Sequence, residues 1–567
     1  MEADSKFVLA MYDVRGKQDF IFRTNRIKEI VGASWIIRDI FRDYLFPAVL
    51  KYSEKGIYSY QDISGQDVLT MDGADVDVME FSAARFRKHI EAGYIGELIY
   101  DGGGAYLVLF RDKEAFQKVT YEFTKNVTKY IGTLQVIGTY IEIDSFDDYS
   151  NDEKRLKEKH KTTEAVVPMS FTTASLPITE MNRKTAQPMF HQAGFEKASE
   201  MMMYSYGSMN VQVAQRQVIS SLRYVEGNKI SKEQYIKRLK FELEMGRIKG
   251  MNENDLNDLE KLYFRNNESI LDNILDEDNS KLAIVYIDGN NMGAKVEACI
   301  AWDSSYESCV TKLRRFSQQI QKVYVEDGIK NIFNSIEGTE DGEGPRFRII
   351  VSAGDEVNFI VKASDAFSAA EGYLNALKER DDGSSACAGI AVFRSHSPYA
   401  DAYRIAEECC ETGKRLMKRN GIEVASFIDY HICQGATGTS LNSIRRIENG
   451  KIISRPWMMW MKDENIDISA SGIVSFEVVR RVSEFLSRLA RSNVKGLPSA
   501  AKSSQSKFLL ELRRCWGHSS ESFKAANNEE WEWINSLDPA LLRNIVYDVA
   551  IAFDLWFEKK GGKTVAE

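Results

Sequence analysis

The sequence predicts an α+β protein in which one β-α-β-β-α-β pattern, the element order of a ferredoxin-like domain, occurs twice. Two observations support this prediction. Apolar runs that end on an aspartate stand at 7–13 and 281–288, and helical spacing of apolar residues follows each. A second pair of apolar runs, broken by a glycine-containing turn, follows at 97–110 and 347–361. We therefore expect two ferredoxin-like domains, a helical insert between them and a helical C-terminal domain.

The first copy of the pattern begins with the buried-type strand FVLAMYD, which ends at Asp13. Its central feature is a hairpin whose turn consists of Gly102, Gly103 and Gly104. The predicted elements are a strand at 7–13, an amphipathic helix at 26–50, two strands within 97–110, a helix at 113–131 and a strand at 134–143.

The second copy has the same order, and its hairpin turns at Ala353–Gly354–Asp355–Glu356. Ser397 and Pro398 form a good N-cap and N1 pair for a helix that follows. The predicted elements are a strand ending at 288, helix-like residues at 303–335, the hairpin, a helix at 363–379, a strand at 387–393, a helix at 398–419 and a closing strand at 424–430.

These patterns predict four domains. They are a first palm-like domain (1–150), a linker and helical insert (151–279), a second palm-like domain (280–435) and a helical C-terminal domain (436–567). Within the linker, the highly charged segment 152–161 is expected to be solvated, and 190–275 to be helical. The apolar stretch 545–557 carries two aspartates and predicts a packed helix rather than a membrane span.

Composition excludes several classes of protein. The 567 residues carry a net charge of −9, so the whole surface is not built to hold nucleic acid by charge alone. The seven cysteines form no CxxC pair, which argues against a structural zinc site and a disulfide framework. Reduced thiols, and an N-terminal segment without signal-peptide character, indicate a cytoplasmic protein.

The carboxylates Asp288, Asp355 and Glu356 are the candidate catalytic and metal-binding residues. If their strands pair, the three side chains meet at one sheet edge, where they repel each other unless a divalent metal neutralises them. We expect a two-metal site for Mg²⁺ or Mn²⁺, as in nucleotidyl transfer. The alternative interpretation is an acidic turn that is merely solvated. The aspartate at the end of the apolar strand argues against this alternative.

Other residues are candidates for binding a nucleotide. Lys414 and Lys418 share one helix face and could reach phosphates, although a solvated basic stripe is nearly as good an interpretation. The remaining candidates are small or amide residues of the turns after the strands: Gly289, Asn290, Asn291, Gly354, Gly102, Gly103 and Gly104.

The first copy also carries a basic cluster near its start, formed by Arg15, Lys17, Arg23, Arg26 and Lys28. This cluster could bind phosphates, with a purely structural pseudo-repeat as the equal alternative. His396 is interpreted as a turn cap rather than a nucleotide contact.

The quoted residues resemble the palm domains of the Cas10 or Cmr2 family, the large subunit of type III CRISPR effectors. The resemblance covers 1–145 and 280–435, and its motifs are the N-terminal segment 12–41, YDGGGAYLVLF (100–110), YIDGNNMG (286–293), SAGDEVNFIV (352–361) and the segments 396–418 and 427–435. It implies that ATP is joined 3′–5′ into cyclic oligoadenylates as an antiviral second messenger. By position, it implies that Asp288, Asp355 and Glu356 are metal ligands and that Lys414 lies near the triphosphate.

The sequence departs from this family in three respects. The family hairpin reads Gly-Gly-Asp-Asp, whereas here it is Ala353–Gly354–Asp355–Glu356. The HD nuclease domain and the cysteine zinc module of the family have no counterpart in the sequence. These departures suggest either a truncated effector subunit or a standalone relative.

Three functional hypotheses follow. The first is a metal-dependent cyclase or oligonucleotide synthetase that uses ATP. The second is a non-catalytic scaffold for crRNA-guided effector subunits and target RNA, and the third is a GTP-using enzyme similar to diguanylate cyclases. None of them calls for a membrane partner, and the oligomeric state is left open.

Overall fold

The chain divides into two compact units, and its mixed α+β class is confirmed by a computed structural model. The first unit comprises Met1–Phe264, Asn291–Val325 and Ile350–Asp355, and the second comprises Arg265–Asn290, Glu326–Ile349 and Glu356–Glu567. The residues that the structure describes are 6–60, 78–102, 105–167, 180–182, 187–190, 194–225, 230–251, 281–300, 304–336, 347–395, 397–434, 440–463 and 472–557.

The first unit contains a five-stranded sheet with the order β2-β3-β4-β1-β5. Strand β1 lies between β4 and β5 and is antiparallel to both, while β3 and β4 form the predicted hairpin. A small sheet, β6-β7-β8, follows it. The strands are β1 (Phe7–Arg15), β2 (Ile57–Tyr58), β3 (Gly96–Gly102), β4 (Ala105–Phe110), β5 (Gln135–Ile143), β6 (Met181–Asn182), β7 (Gln187–Phe190) and β8 (Ile230–Ser231).

Helices cover this sheet, and Leu9, Leu109 and Ile141 from its strands form a core with Leu156 and Val310 from the helices. The helices of the first unit are α1 (Lys17–Phe22), α2 (Ile27–Arg38), α3 (Phe46–Val49), α4 (Ala83–Glu91), α5 (Lys113–Tyr130), α6 (Tyr149–Val166), α7 (Phe195–Ser199), α8 (Met202–Tyr206), α9 (Ser208–Val225), α10 (Lys232–Gly250), α11 (Met292–Ile300) and α12 (Tyr306–Ile320).

Two predictions for this unit need correction. The single helix expected over 26–50 is interrupted by a π-helical turn at Phe41–Leu45, just before Pro47, which lacks the N–H that a continuous helix needs. The charged segment 152–161 is not a fully solvated stretch, since it lies within α6. Asp152, Leu156 and His160 are buried there, four residues apart and therefore on one helix face.

The second unit contains most of a seven-stranded sheet with the order β10-β11-β9-β12-β13-β14-β15, of which only the end of β10, from Ile350 on, is assigned to the first unit. Strand β9 lies between β11 and β12 and is antiparallel to both, as β1 is to its neighbours in the first sheet. Strand β13 adds to β12 in parallel. The strands are β9 (Lys281–Gly289), β10 (Phe347–Ala353), β11 (Glu356–Lys362), β12 (Ala386–Arg394), β13 (Ala425–Ile432), β14 (Trp457–Met461) and β15 (Val474–Ser475).

The helices of the second unit pack on this sheet and then continue beyond it to the end of the described chain. A π-helical segment, Gln321–Asp327, precedes the first of them. The helices are α13 (Gly328–Ser335), α14 (Ala366–Lys378), α15 (Tyr399–Asn420), α16 (Leu441–Glu448), α17 (Phe476–Ser487), α18 (Arg491–Ser503), α19 (Gln505–Gly517), α20 (Glu521–Ala526), α21 (Asn528–Ser536), α22 (Pro539–Ile551) and α23 (Phe553–Phe557).

The sheet continues past residue 435, so the segment predicted as a helical domain is not helical throughout. The apolar run WMMWM forms β14, which pairs with β13, and β15 pairs with β14 in turn. Trp457 is fully buried, which explains why this run joins the sheet. The helix α15 begins at Tyr399, and Pro398, not Ser397, occupies its N-cap position because the backbone of Pro398 is extended.

Residues 545–557 lie in α22 and α23, and 545–555 are largely buried, in agreement with the predicted packed helix. Across the ranges given above, no helix is both long enough and apolar enough to cross a membrane.

Candidate active site

Asp288 and Glu356 lie directly opposite each other on adjacent strands. The antiparallel register of β9 and β11 pairs Glu356 with Asp288, and Leu282 to Ile287 before them are buried core residues. Directly opposed residues of an antiparallel pair project to the same face, with Cβ atoms about 5 Å apart. The apolar strand therefore ends in two carboxylates that share one face of the sheet.

The β10–β11 hairpin delivers Glu356 to this position. Gly354 has φ of +63° in the turn, a backbone conformation that residues other than glycine rarely adopt. Asp355 is the second turn residue and is partly exposed, and Glu356 is the first residue of β11. The predicted tight glycine turn is confirmed.

Lys414 reaches this end of β9 from α15. Its Nζ donates to Asp288 Oδ2 at 2.6 Å and to the carbonyl oxygen of Gly289 at 2.8 Å. Burial acts to lower the pKa of Lys414, but the Asp288 carboxylate outweighs it and the net pKa is raised. The lysine that the sequence assigned to phosphate thus neutralises Asp288 in this structure.

Glu356 is held by neutral partners. Tyr403 Oη donates to its Oε1 at 3.0 Å, and Asn358 Nδ2 donates to the same oxygen at 3.1 Å. Burial raises the pKa of Glu356 to about 7, and the charge of Asp288 adds to this effect, while the hydrogen bond from Tyr403 acts against it. Glu356 therefore titrates near neutral pH, unlike an ordinary glutamate.

Two glycines bring α15 close enough for these contacts. A Cβ on Gly389 of β12 would stand 1.9 Å from the carbonyl oxygen of Ala406. A Cβ on Gly413, next to Lys414, would stand 2.8 Å from Phe427 Cβ. Because these neighbours are backbone or buried core atoms, only glycine allows this helix to lie so near the strands.

Asn290 has a structural role that the sequence did not predict. Its side-chain amide donates to the Ala425 carbonyl at 2.8 Å and to Ser385 Oγ at 3.1 Å, and the residue is buried. These bonds tie the end of β9 to β13 and to the start of β12. Asn291, which follows, has φ of +58° and is exposed. A contact of Asn290 with nucleotide stays a prediction.

Two further predicted nucleotide ligands, Lys418 and Gly102, lie within the described residues. Lys418 is exposed, one turn beyond Lys414. Gly102 ends β3 and pairs with Ala105, while Gly103, Gly104 and His396 lie outside the described residues.

The basic cluster of the first copy is largely used within its own unit. Arg15 donates to the Val167 carbonyl, and Lys17 pairs with Asp13 at 3.6 Å. The other pairs are Arg23 with Glu233 and Lys28 with Glu242. This favours the structural alternative for that cluster.

The residues present fit one open divalent-cation position better than a closed metal cage. Asp288 and Glu356 are hard oxygen ligands in register. Burial raises the pKa of Glu356 and the charge of Asp288 raises it further, and a cation would relieve this second effect. In the part of the chain that the structure describes, no group of three or more His, Cys, Asp or Glu side chains is arranged to hold a metal. The two-metal site with Asp355 as a third ligand stays a prediction.

Sequence reasoning missed Tyr403 and Asn358. Tyr403 lies eleven residues before Lys414, three helical turns, so both side chains share one face of α15. Asn358 lies two residues after Glu356 and therefore on the same face of β11. Helical spacing from Lys414 could have revealed Tyr403, and strand spacing from Glu356 could have revealed Asn358.

The sequence matches no protein-family model and no curated protein. Similar solved structures are those of Csm1–Csm4. The cassette in complex with cA4 is 10% identical, with 97% of this chain and 70% of that chain covered and a TM-score of 0.44. The apo cassette is also 10% identical, with 97% of this chain and 70% of that chain covered and a TM-score of 0.47. The AMPPNP complex is 11% identical, with 74% of this chain and 54% of that chain covered and a TM-score of 0.39. The chain thus spans between about half and two thirds of the length of these structures.

Proposed function

We propose that this protein is a metal-dependent nucleotidyltransferase that joins ATP through 3′–5′ linkages into cyclic oligoadenylates. The observation that carries the proposal is the opposed pair Asp288 and Glu356 at the end of an apolar strand, with the Lys414 ammonium 2.6 Å from Asp288. Two carboxylates that repel each other beside a lysine ammonium are suited to a divalent cation and nucleotide phosphates.

Asp288 and Glu356 would hold Mg²⁺ or Mn²⁺, with Asp355 as the proposed third ligand. When bound, the cation lowers the pKa of an attacking hydroxyl and neutralises charge on the triphosphate. Lys414 supplies a point charge for phosphate oxygens, and Tyr403 and Asn358 fix the orientation of Glu356. The reaction is in-line attack of one nucleotide's 3′-hydroxyl on the α-phosphorus of another, with pyrophosphate as the leaving group.

The choice of ATP and of cyclic oligoadenylates follows from the Cas10-like motifs of the sequence. The same motifs support, as part of this proposal, a role in antiviral defence of the CRISPR type III kind, with crRNA-guided effector subunits and target RNA as partners. GTP is the alternative substrate.

Labelled ATP with Mn²⁺, with and without target RNA, tests the proposal. We expect release of pyrophosphate and formation of a cyclic product, and loss of at least about a hundredfold in rate when Asp355→Ala and Glu356→Ala are combined. The matched control is Asp381→Ala with Glu379→Ala, two acidic residues after α14, which should keep full turnover. Undiminished turnover in the first double variant defeats the assignment, and GTP in the same assay decides the base.

One observation favours a second candidate, a non-catalytic scaffold. Within the described ranges the carboxylates do not form a three-ligand group, and Lys414 already neutralises Asp288. A scaffold would co-purify with RNA or effector subunits and release no pyrophosphate from either nucleotide.

A further inference from the structure

The Lys414 ammonium lies on the same oxygen atoms that a divalent cation would use. Its Nζ contacts Asp288 Oδ2 at 2.6 Å and the Gly289 carbonyl oxygen at 2.8 Å. Carboxylate and carbonyl oxygens are the ligands that Mg²⁺ and Mn²⁺ prefer. An ammonium and a divalent cation on one carboxylate oxygen repel each other strongly at such distances. The two therefore compete for Asp288.

The helix that carries Lys414 is packed tightly on the sheet, so an exchange is expected to occur by movement of the Lys414 side chain. A Cβ on Gly389 or Gly413 would meet atoms of the facing element at 1.9 and 2.8 Å, which shows that α15 lies in close contact with β12 and β13. The Lys414 side chain is 24% exposed and has a four-carbon flexible stem. It can leave Asp288 toward solvent or phosphate without a shift of the helix.

The charges also favour an exchange. Asp288 has a cationic partner, whereas the hydrogen-bond donors on Glu356 are the neutral groups of Tyr403 and Asn358. When both carboxylates are ionised, the single ammonium of Lys414 balances only one of them, so the group as a whole keeps a net negative charge. A divalent cation balances both carboxylates and releases one positive charge, that of Lys414, for an anionic ligand.

We propose that Lys414 is an internal counter-ion that holds Asp288 before substrate binds and is displaced by the entering divalent cation. The released ammonium then binds the phosphates of the nucleotide that accompanies the metal. This inference rests on the proposed function of the same site. It makes Lys414 a regulator of metal affinity: the protein binds free metal weakly, and metal and nucleotide enter together.

Binding of Mn²⁺ alone to the nucleotide-free, full-length protein tests this exchange, by calorimetry or by the spin-resonance signal of free Mn²⁺. Lys414→Met removes the charge and keeps the length of the side chain, and we expect it to bind Mn²⁺ about tenfold more tightly than the wild type. Lys414→Gln, which keeps a hydrogen-bond donor, should show the same direction if Lys414→Met folds poorly. Lys507→Met, an exposed lysine on α19, is the matched control and should not change the affinity.

Asp288→Asn separates failure of the exchange from failure of the proposed site. If Asp288→Asn abolishes Mn²⁺ binding but both Lys414 variants bind like the wild type, the exchange is wrong and the metal site stands. If Asp288→Asn leaves Mn²⁺ binding intact, the metal site itself is wrong. Absence of Mn²⁺ binding in the folded Lys414 variants also overturns the exchange, because these variants should expose Asp288 to the metal.

Discussion

At the scale of single residues, the unusual feature is Glu356, a half-buried carboxyl opposite another carboxyl. Its environment raises its pKa from the ordinary 4.5 to about 7, first by burial and then by the charge of Asp288. Such a group is costly to ionise in the folded protein. A bound divalent cation would therefore lower the free-energy cost of ionising Glu356.

The first prediction concerns stability against pH without metal. Between pH 4.5 and 7 the folded protein keeps the Glu356 proton while the unfolded chain has lost it, so stability falls as pH rises. The loss of folding stability caused by ionising Glu356 in the folded protein is fully present above pH 7 and amounts to at most about 3 kcal/mol. Glu356→Gln removes it. In EDTA, this variant should melt several degrees above the wild type at pH 8, with the difference shrinking toward pH 5.

A constant difference in melting temperature over this pH range would show that Glu356 does not titrate near neutrality. Glu379→Gln, a change to a glutamate outside the site, controls for the general effect of removing a negative charge.

Tyr403 provides the second prediction. Its hydroxyl donates to Glu356 Oε1 at 3.0 Å and lowers the pKa of that carboxyl, while its ring packs edge-on against Tyr286. Tyr403→Phe keeps the ring and loses the hydrogen bond. We expect a few-fold loss of turnover at pH 7, recovered at higher pH, because the pH at which Glu356 ionises moves upward.

The pH–rate profile measures this shift, and unchanged thermal unfolding shows that the fold is intact. Tyr204→Phe, at a tyrosine that is 67% exposed, is the matched control and should leave the profile unchanged. A loss of turnover that is equal at every pH would contradict the positioning role of Tyr403.

At the scale of elements, α15 is the part that assembles the site. It carries both Tyr403 and Lys414, and its distance from the sheet is set by Gly389 on β12 and Gly413 on the helix itself. Close approach of a helix to a strand needs glycine at the contact, since a Cβ would push the backbones apart.

Gly389→Ala therefore tests the packing of α15. The added Cβ would stand 1.9 Å from the Ala406 carbonyl oxygen and 2.4 Å from the Cys410 backbone nitrogen. Because neither atom can move without the helix, we expect a loss of about 1–3 kcal/mol of stability and a larger loss of turnover. Gly496→Ala in α18, where a Cβ meets nothing within 4 Å, is the control and should stabilise the protein by about 0.5–1 kcal/mol. Equal effects in thermal unfolding would refute the packing argument.

The sequence predicted elements well where one physical signal dominates. The strand over β9 follows from its apolar run and aspartate, and the hairpin follows from Gly354, whose φ is +63°. Interruption of the 26–50 helix could have been read from Pro47. The roles of Gly389 and Asn290 could not, because they depend on which backbone atoms the fold brings to them.

Strand β14 shows another limit of prediction. Its sequence, WMMWM, is compatible with a buried helix as well as with a strand, and only pairing with β13 decides between them. The strand pairing that brings Asp288 and Glu356 together was expected from the sequence, whereas the ion pair between Lys414 and Asp288 was not. Whether Lys414 contacts a phosphate or a carboxylate depends on distances that spacing along the sequence does not give.

At the scale of the whole molecule, buried charges join the C-terminal helices to the sheet of the second unit. Asp548 of α22 accepts from the backbone and hydroxyl of Ser454 at 2.7 Å and pairs with Arg455. Asp429 of β13 accepts both from Arg445 and, at 2.5 Å, from Thr412 Oγ1 of α15. The C-terminal helices are thus linked, through buried polar contacts, to the helix that carries Lys414.

Asp548→Ala tests this linkage. Loss of the carboxylate leaves Arg455, which is 3% exposed, without one of its buried anionic partners and leaves Ser454 without its acceptor. Removing one partner of a buried ion pair costs about 3–5 kcal/mol, so the melting temperature should fall by many degrees. Asp554→Ala in α23 is the matched control, because its ion pair with Arg491 lies at the surface and contributes less than about 1 kcal/mol. If both variants unfold at the same temperature, the buried contacts do not stabilise the second unit, and the C-terminal helices are held by apolar packing alone.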